Sequence, residues 1–306
     1  MLRRVLKYIR DKELLKKGDK VLVCVSGGAD SVALLDVLQR GGWECVVAHC
    51  NFHLRGEESD RDEQFVREVV GERLKAKGER LWVKDFDTEA YAREKGLSIE
   101  MAARELRYEW FAEVAAETGC KAIAVAHHQN DQAETVLLNL KRGTGIRGLC
   151  GMRAKSHLGA RSQEPGVKTI PIIRPLLCTT RDYIEHYLKD IRHLPWVDDS
   201  TNSDTRIQRN AIREQLKHYS KAEIEHMAAT AERMQGYVDW LEGRDTKLAG
   251  KAKLYEELKD YGFAEIDKIY DALQTGVGGK TFRSATHQAE IRKGKVVVKT
   301  INILKD

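Results

Sequence analysis

The strongest constraint on the fold is an alternation. Four short, near-continuously apolar runs, Val21 to Val25, Cys45 to His49, Arg80 to Val83 and Ala122 to Ala126, are each followed by a stretch with helical spacing. Runs that are apolar throughout suit strands covered on both faces, and helical stretches between them suit the crossovers of a parallel sheet. Those helices are predicted at Ser31 to Arg40, Ser59 to Lys77, Ser98 to Thr118 and Asp131 to Arg142. In the third, Ile99, Ala103, Leu106, Trp110 and Val114 recur on one face behind Ser98 as N-cap. The predicted class is α/β, with a parallel-sheet domain over residues 1–219 and a smaller, mainly helical α+β domain over 220–306. Helical patterns over Ser203 to about Leu248, across that boundary, and over Glu256 to Leu273 precede strand-like alternation from Lys280 to Ile303. All four prolines lie between 165 and 195, which predicts punctuated connecting structure, and His157 to Val167 reads as exposed loop.

Charge adds little at the level of the whole chain, because 52 Lys and Arg against 47 Asp and Glu only weakly favour a polyanionic partner. The six cysteines (Cys24, Cys45, Cys50, Cys120, Cys150, Cys178) are scattered without a CxxC pair, so neither a zinc site nor an iron-sulfur cluster is signalled, and reduced thiols are expected. Residues 1–20 lack the apolar stretch of a signal peptide and no run reaches membrane-spanning length, so no membrane partner and a cytoplasmic location are expected.

The most informative segment joins the first strand to its helix: Ser26-Gly27-Gly28-Ala29-Asp30-Ser31. Paired glycines allow close backbone approach, a helix start offers unpaired N–H donors and the positive end of its dipole, and the two serines add hydroxyls. Together they predict a pyrophosphate cradle. A carboxylate in an anion site calls for an intervening cation, which makes Asp30 the candidate ligand of Mg2+. The spacing is neither GxxxxGK[ST] nor GxGxxG, so γ-phosphate and hydride transfer are not indicated. The loop resembles instead that of the N-type ATP pyrophosphatases, which cut ATP between its α and β phosphates.

Further motifs narrow the resemblance: HCNFHLRGEES over 49–59, SIEMAARELRY over 98–108, AHHQNDQAET over 126–135, RGTGI over 142–146, WVDDSTN over 196–202 and RNAIR over 209–213. In order and spacing they resemble the tRNA(Ile)-lysidine synthetase family over residues 20 to about 216. The resemblance implies a Rossmann-like, adenine nucleotide alpha hydrolase-like domain that uses ATP and Mg2+. It also implies that the ε-amine of free L-lysine is joined to the wobble cytidine of tRNA(Ile) with a CAU anticodon: ATP adenylates the cytidine carbonyl oxygen, and the amine displaces AMP. In this chain the cofactor residues implied are Ser26, Gly27, Gly28, Ala29, Asp30, Ser31, Arg142 and Gly143. The catalytic residues implied are Asp30, Asp131, Glu134, Arg209 and Arg104.

Asp131 and Glu134 lie three apart in a first helical turn, where acids also simply complement the dipole; by the resemblance they hold the lysine ammonium groups, and either could take the amine proton. The family carries two consecutive aspartates where this chain has Asn130-Asp131. Arg206, Arg209, Arg213 and Lys217 form one basic stripe, a solvated face or a phosphate contact; the resemblance turns Arg209 to ATP or substrate and the others to tRNA. Tyr108, Trp196 and His53 are candidates for stacking a flipped cytidine, or for packing. Residues 220–306 are expected to contact tRNA. A tRNA-thiolating enzyme and a non-catalytic ATP-binding module are the alternatives, and a homodimer is compatible with a sequence that does not fix oligomeric state.

Overall fold

A computed structural model describes residues 1–76, 78–157, 170–198, 208–276 and 278–301. Arg206, most of the loop expected over 157–167, and the 199–202 part of the WVDDSTN motif lie outside the described residues. The chain opens with α1 (Leu2–Asp11), β1 (Lys20–Cys24), α2 (Ala29–Arg40), β2 (Glu44–Asn51), α3 (Glu57–Phe65), α4 (Gly71–Lys75) and β3 (Leu81–Asp85). There follow α5 (Thr88–Lys95), α6 (Ile99–Thr118), β4 (Ala122–Ala124), α7 (Gln129–Lys141), α8 (Ile146–Leu149), β5 (Lys155–His157) and β6 (Pro171–Ile173). The remainder comprises α9 (Arg181–His186), α10 (Gln208–Leu216), α11 (Lys221–Leu241), α12 (Lys247–Leu258), α13 (Ile266–Gln274), β7 (Thr281–Arg283), β8 (His287–Arg292) and β9 (Lys295–Thr300). Two compact units result: 1–138 with 152–228, and 139–151 with 229–306. Residues 139–151 thus group with the second unit.

The first unit is built on a six-stranded sheet of order β3-β2-β1-β4-β6-β5, parallel except for β5 against β6. Its central strands β1, β2 and β4 are covered on both faces, as their apolar runs require, while the edge strands β3 and β5 carry exposed residues. Val21 and Val23 of β1 pack into one buried cluster with Val32, Leu35 and Leu38 of α2, whereas Leu22 between them packs into another with Phe111 and Val114 of α6. Successive strand side chains point to opposite faces, so one strand serves two cores. On α6, Ser98 caps the N-terminus and Gly119 ends it in the left-handed region, as their residue types favour. Ala103, Trp110 and Val114 are buried as predicted, but Ile99 is exposed because it lies in the first turn, beyond the sheet's cover.

The order of the strands fixes where ligands belong. From β1 the chain steps outward to β2 and β3, then returns to β4 and steps the other way to β6. The switch point of the sheet is therefore the crevice between the carboxyl ends of β1 and β4, where open parallel sheets take their ligands.

The second unit has its own core: Leu254 and Leu258 of α12 and Ile269 of α13 pack on Ala289 and Ile291 of the antiparallel sheet β7-β8-β9. The helix predicted over Glu256 to Leu273 is divided, because Gly262 adopts φ +71°, a conformation that a continuous helix excludes.

Candidate active site at the sheet switch point

The β1–α2 loop is held as an open cradle by its own hydroxyls. Ser31 Oγ donates to the Gly28 carbonyl at 2.8 Å and accepts from the Ser26 backbone N–H at 3.2 Å, so the chain folds back over the first turn of α2. Gly27 has φ +94°, a backbone conformation that residues with a side chain rarely adopt. From below, the buried His49 ring bonds the Val25 carbonyl at 2.8 Å, and Val197 N–H bonds the Gly27 carbonyl at 3.0 Å. Burial disfavours the His49 charge, so this support is a neutral imidazole. Ser26, Gly27, Gly28, Ala29, Asp30 and Ser31, the residues expected to hold pyrophosphate, thus form one loop between β1 and the first turn of α2.

Asp30, in the first turn of α2, meets residues that arrive from the end of β4 and from α9. Its Oδ2 accepts from Arg181 Nη1 and lies 3.5 Å from His128 Nε2; its Oδ1 is buried without a partner. His128 Nε2 also lies 3.5 Å from Asp131 Oδ2. Burial opposes a charge on this imidazole, but the carboxylates of Asp131 and Asp30 outweigh it and push it up to about 9. Asp131 responds in kind: burial works against its charge, yet His128 holds its carboxyl below the ordinary range. Its Oδ2 also accepts the His128 backbone N–H at 2.9 Å, closing the first turn of α7. For the neighbouring His127 burial outweighs the help of Asp131, with Arg174, Arg209 and His128 adding to it, and pushes it down to about 4. Asn130, the departure from the family pattern, uses its Oδ1 to accept the Arg181 backbone N–H at 3.0 Å. An amide oxygen serves that bond as well as a carboxylate does.

Glu134, one turn beyond Asp131, is buried and takes Arg209 Nε at 3.1 Å on one oxygen and Arg213 Nε at 2.9 Å on the other. The basic stripe of α10 is therefore divided. Arg209 reaches the acid pair, Arg213, expected to face tRNA, pairs with the same carboxylate, and Lys217 pairs with Glu214 at 2.6 Å. Arg104 on α6 lies over the Tyr108 ring at 5.0 Å. Tyr108 itself is buried among Trp110 and Phe111, which fits it to packing, and Trp196 Nε1 donates to Asp198. His53 is exposed and bonds Asp85. Arg142 and Gly143 fall in the second unit.

Unmet hydrogen-bonding capacity marks the same edge of the sheet. Nine buried side-chain polar atoms among the described residues lack a partner. Seven belong to residues that follow β1, β4 or β6: Asp30, His127, His128, Gln129, Arg174, Thr179 and Thr180. Native interiors leave few such atoms, and a concentration of them is a feature of ligand sites. Arg181, His128 and Arg174 were not singled out from the sequence. His128 lay in a quoted motif and was open to notice, whereas nothing local in the sequence links Arg181 to Asp30 across 151 positions.

Gln132 fixes the chain where it re-enters this unit. Its amide pairs both ways with one residue, accepting Met152 N–H at 2.7 Å and donating to the Met152 carbonyl at 3.1 Å. Gln132→Leu removes both bonds from a buried position and is expected to cost about 1–3 kcal/mol, read as a lower denaturant midpoint at unchanged slope. A midpoint equal to the parent's would show that the clamp carries no stability.

With this geometry in place, the relatives are informative. Residues 1–219 match the PP-loop domain family and residues 246–301 the TilS substrate binding domain family. The chain is 52% identical over 210 residues to the tRNA(Ile)-lysidine synthase of Bacteroides thetaiotaomicron, covering 69% of this chain and 45% of that one. To the enzyme of that name from Parabacteroides distasonis it is 44% identical over 317 residues, 94% of this chain and 67% of the relative. To that of Chlorobaculum tepidum it is 38% identical over 249 residues, covering 78% and 70%. The chain thus spans about half the length of the first of these relatives. A solved structure, the U34-tRNA thiolase NcsA from Methanococcus maripaludis with its [4Fe-4S] cluster, shares the fold at TM-score 0.57 and 16% identity over 76% of this chain and 79% of that one. By its matched domains and its relatives, the chain belongs to the tRNA(Ile)-lysidine synthase family, its larger part a PP-loop domain.

Proposed function

We propose that this chain joins the ε-amine of free L-lysine to the wobble cytidine of a tRNA(Ile) with a CAU anticodon, at the expense of ATP. The observation that carries the reading is one juxtaposition: the glycine cradle at the end of β1 and the Asp131–Glu134 pair at the end of β4 flank the same crevice. The cradle takes the β and γ phosphates. The cytidine carbonyl oxygen then attacks the α-phosphorus, the bond to the β-phosphate oxygen breaks, and pyrophosphate leaves. In the second step the lysine amine attacks the activated ring carbon, the carbon–oxygen bond breaks, AMP departs, and Asp131 or Glu134 accepts the amine proton.

Asp30 fits a magnesium ion carried on the nucleotide, because its Oδ1 is buried and without a partner. Among the described residues no group of three or more His, Cys, Asp or Glu stands ready for a metal. That suits Mg2+, which takes one or two protein carboxylates and completes its shell from phosphates and water. When bound, the ion would neutralise charge on the phosphates. Both acids are held by the protein's own cations, Asp131 by His128 and Glu134 by Arg209 and Arg213. An incoming ammonium takes over that pairing at Glu134 and frees Arg209 for a phosphate.

Purified protein given ATP, Mg2+, this tRNA and labelled lysine is expected to release pyrophosphate and label the RNA. Label that stays free while ATP binds would sink the proposal, as would sulfur appearing on the RNA when a sulfide donor is added to the same mixture. Glu134→Gln is expected to lower lysine incorporation on the order of 100-fold while adenylation stays within about tenfold. A variant that loses both steps equally would assign Glu134 to the fold or to ATP.

A further inference from the structure

We propose that Arg174, immediately after β6, is a substrate-contacting residue that takes a phosphoryl oxygen of the RNA backbone beside the base being modified; this rests on the RNA substrate proposed above. Arg174 is 7% exposed, and its charge has no counter-ion among the described residues. Nη1 donates to the Arg153 carbonyl at 2.8 Å and to Ser156 Oγ at 2.9 Å, both neutral acceptors, and Nε is buried with no acceptor among the described residues. A guanidinium does not shed its proton in a protein, so burial leaves a charge that only an anion can match. Burial works most against the Arg174 charge; the Tyr108 and Tyr8 hydroxyls favour it, Arg104 on α6 opposes it, and none of these neighbours is a carboxylate, while Arg174 in turn works against a charge on His127 at the end of β4. Four other cations at the switch point each have an acid: Arg181 has Asp30, His128 has Asp30 and Asp131, Arg209 and Arg213 have Glu134.

Two phosphoryl groups enter this reaction, the α-phosphate of ATP and the RNA phosphodiesters, and position favours the RNA. In the sheet order β4 lies between β1 and β6. With strands about 4.8 Å apart, Arg174 follows a strand about 10 Å from the one that carries the pyrophosphate cradle, on the side away from β2. With the triphosphate placed on the cradle, an anion at Arg174 lies past the acid pair that follows β4, the side left for the RNA. The planar fork of Arg174, fixed by Arg153 and Ser156, then positions the nucleotide for attack on ATP.

The test uses the full chain and three proteins: the parent, Arg174→Gln and Arg174→Lys. Each is titrated with a fluorescent RNA stem-loop bearing the CAU anticodon at several salt concentrations, and separately with ATP and Mg2+ without RNA. Arg174→Gln is expected to weaken RNA binding about tenfold and to reduce the steepness of the salt dependence by about one, the loss of one phosphate contact, with ATP affinity unchanged. Arg174→Lys keeps the charge and loses the fork, so the salt dependence stays parental while affinity falls. Should Arg174→Gln melt below the assay temperature, the lysine variant carries the test, and parental RNA affinity in it overturns the proposal. A clamp that serves only the β5–β6 edge would lower the melting temperature and leave the salt dependence alone, which also overturns it. Loss of ATP affinity with RNA binding intact moves the anion to the nucleotide and does the same. A parent that binds no stem-loop removes the functional reading and this inference together, whereas a parent that binds as tightly as Arg174→Gln removes only this one.

Discussion

Asp30→Ala is expected to lower pyrophosphate release from ATP on the order of 1,000-fold while the protein remains folded. The side chain stands in the first turn of α2 beside the glycine cradle, with one oxygen buried and unmatched and the other on Arg181 and His128. In the variant the orphaned oxygen disappears, and Arg181 retains Glu185 at 2.6 Å, so little stability depends on the carboxylate. Asp30→Asn sharpens the reading, since it keeps the shape and removes only the charge that a magnesium-bound phosphate requires. The checks are a pyrophosphate assay across Mg2+ concentrations and a thermal melt on the same samples. Parental turnover in either variant would remove Asp30 from the chemistry, and an unfolded Asp30→Asn would make it a structural residue.

The second large effect concerns folding. Asp36 is 2% exposed on α2 and accepts Tyr187 Oη at 2.6 Å, Arg192 Nε at 3.0 Å and Arg73 Nη2 at 3.3 Å. Asp36→Ala strips three donors, two of them charged, of a buried acceptor and is expected to cost about 3–5 kcal/mol. The same cluster predicts an acid sensitivity of definite sign. Burial raises a carboxyl's pKa, but the bonds from Arg192 and Tyr187 outweigh it and hold that of Asp36 below the ordinary value. The unfolded chain then takes up the proton first. The contribution is complete above about pH 4, the unfolded value, and is lost as pH falls through the lower folded one. Urea melts between pH 7 and 3 should show Asp36→Asn well below the parent at neutral pH and converging with it in acid. A constant gap across that range would deny the carboxylate its share.

How much of this was legible in the sequence follows from the range of each interaction. The cradle was, because glycines, serines and an acid at one strand–helix junction carry their meaning locally, and so was the alternation that gives the parallel sheet. Asp131 and Glu134 were placed on one helix turn by spacing alone. Their partners were not: Arg213 reads as one more base on a stripe until α10 packs Ile212 and Leu216 against Ala133 of α7, which turns its guanidinium to Glu134. The stretch of prolines hid β6, too short at three residues to show a period, and with it Arg174. Helix α1 escaped for a different reason: only Val5 and Ile9 of its residues are buried, and the charges around them mask a two-residue stripe.

One helix ties the two largest effects together. Asp30 begins α2, and Asp36 is sunk six residues on, about 9 Å along the axis. The helix is a stiff arm whose moored shank decides where its tip points. Changes at Tyr187, Arg192 or Arg73, all of which hold Asp36 and none of which lies in the β1–α2 loop, would therefore register in kinetics as a slackened hold on pyrophosphate.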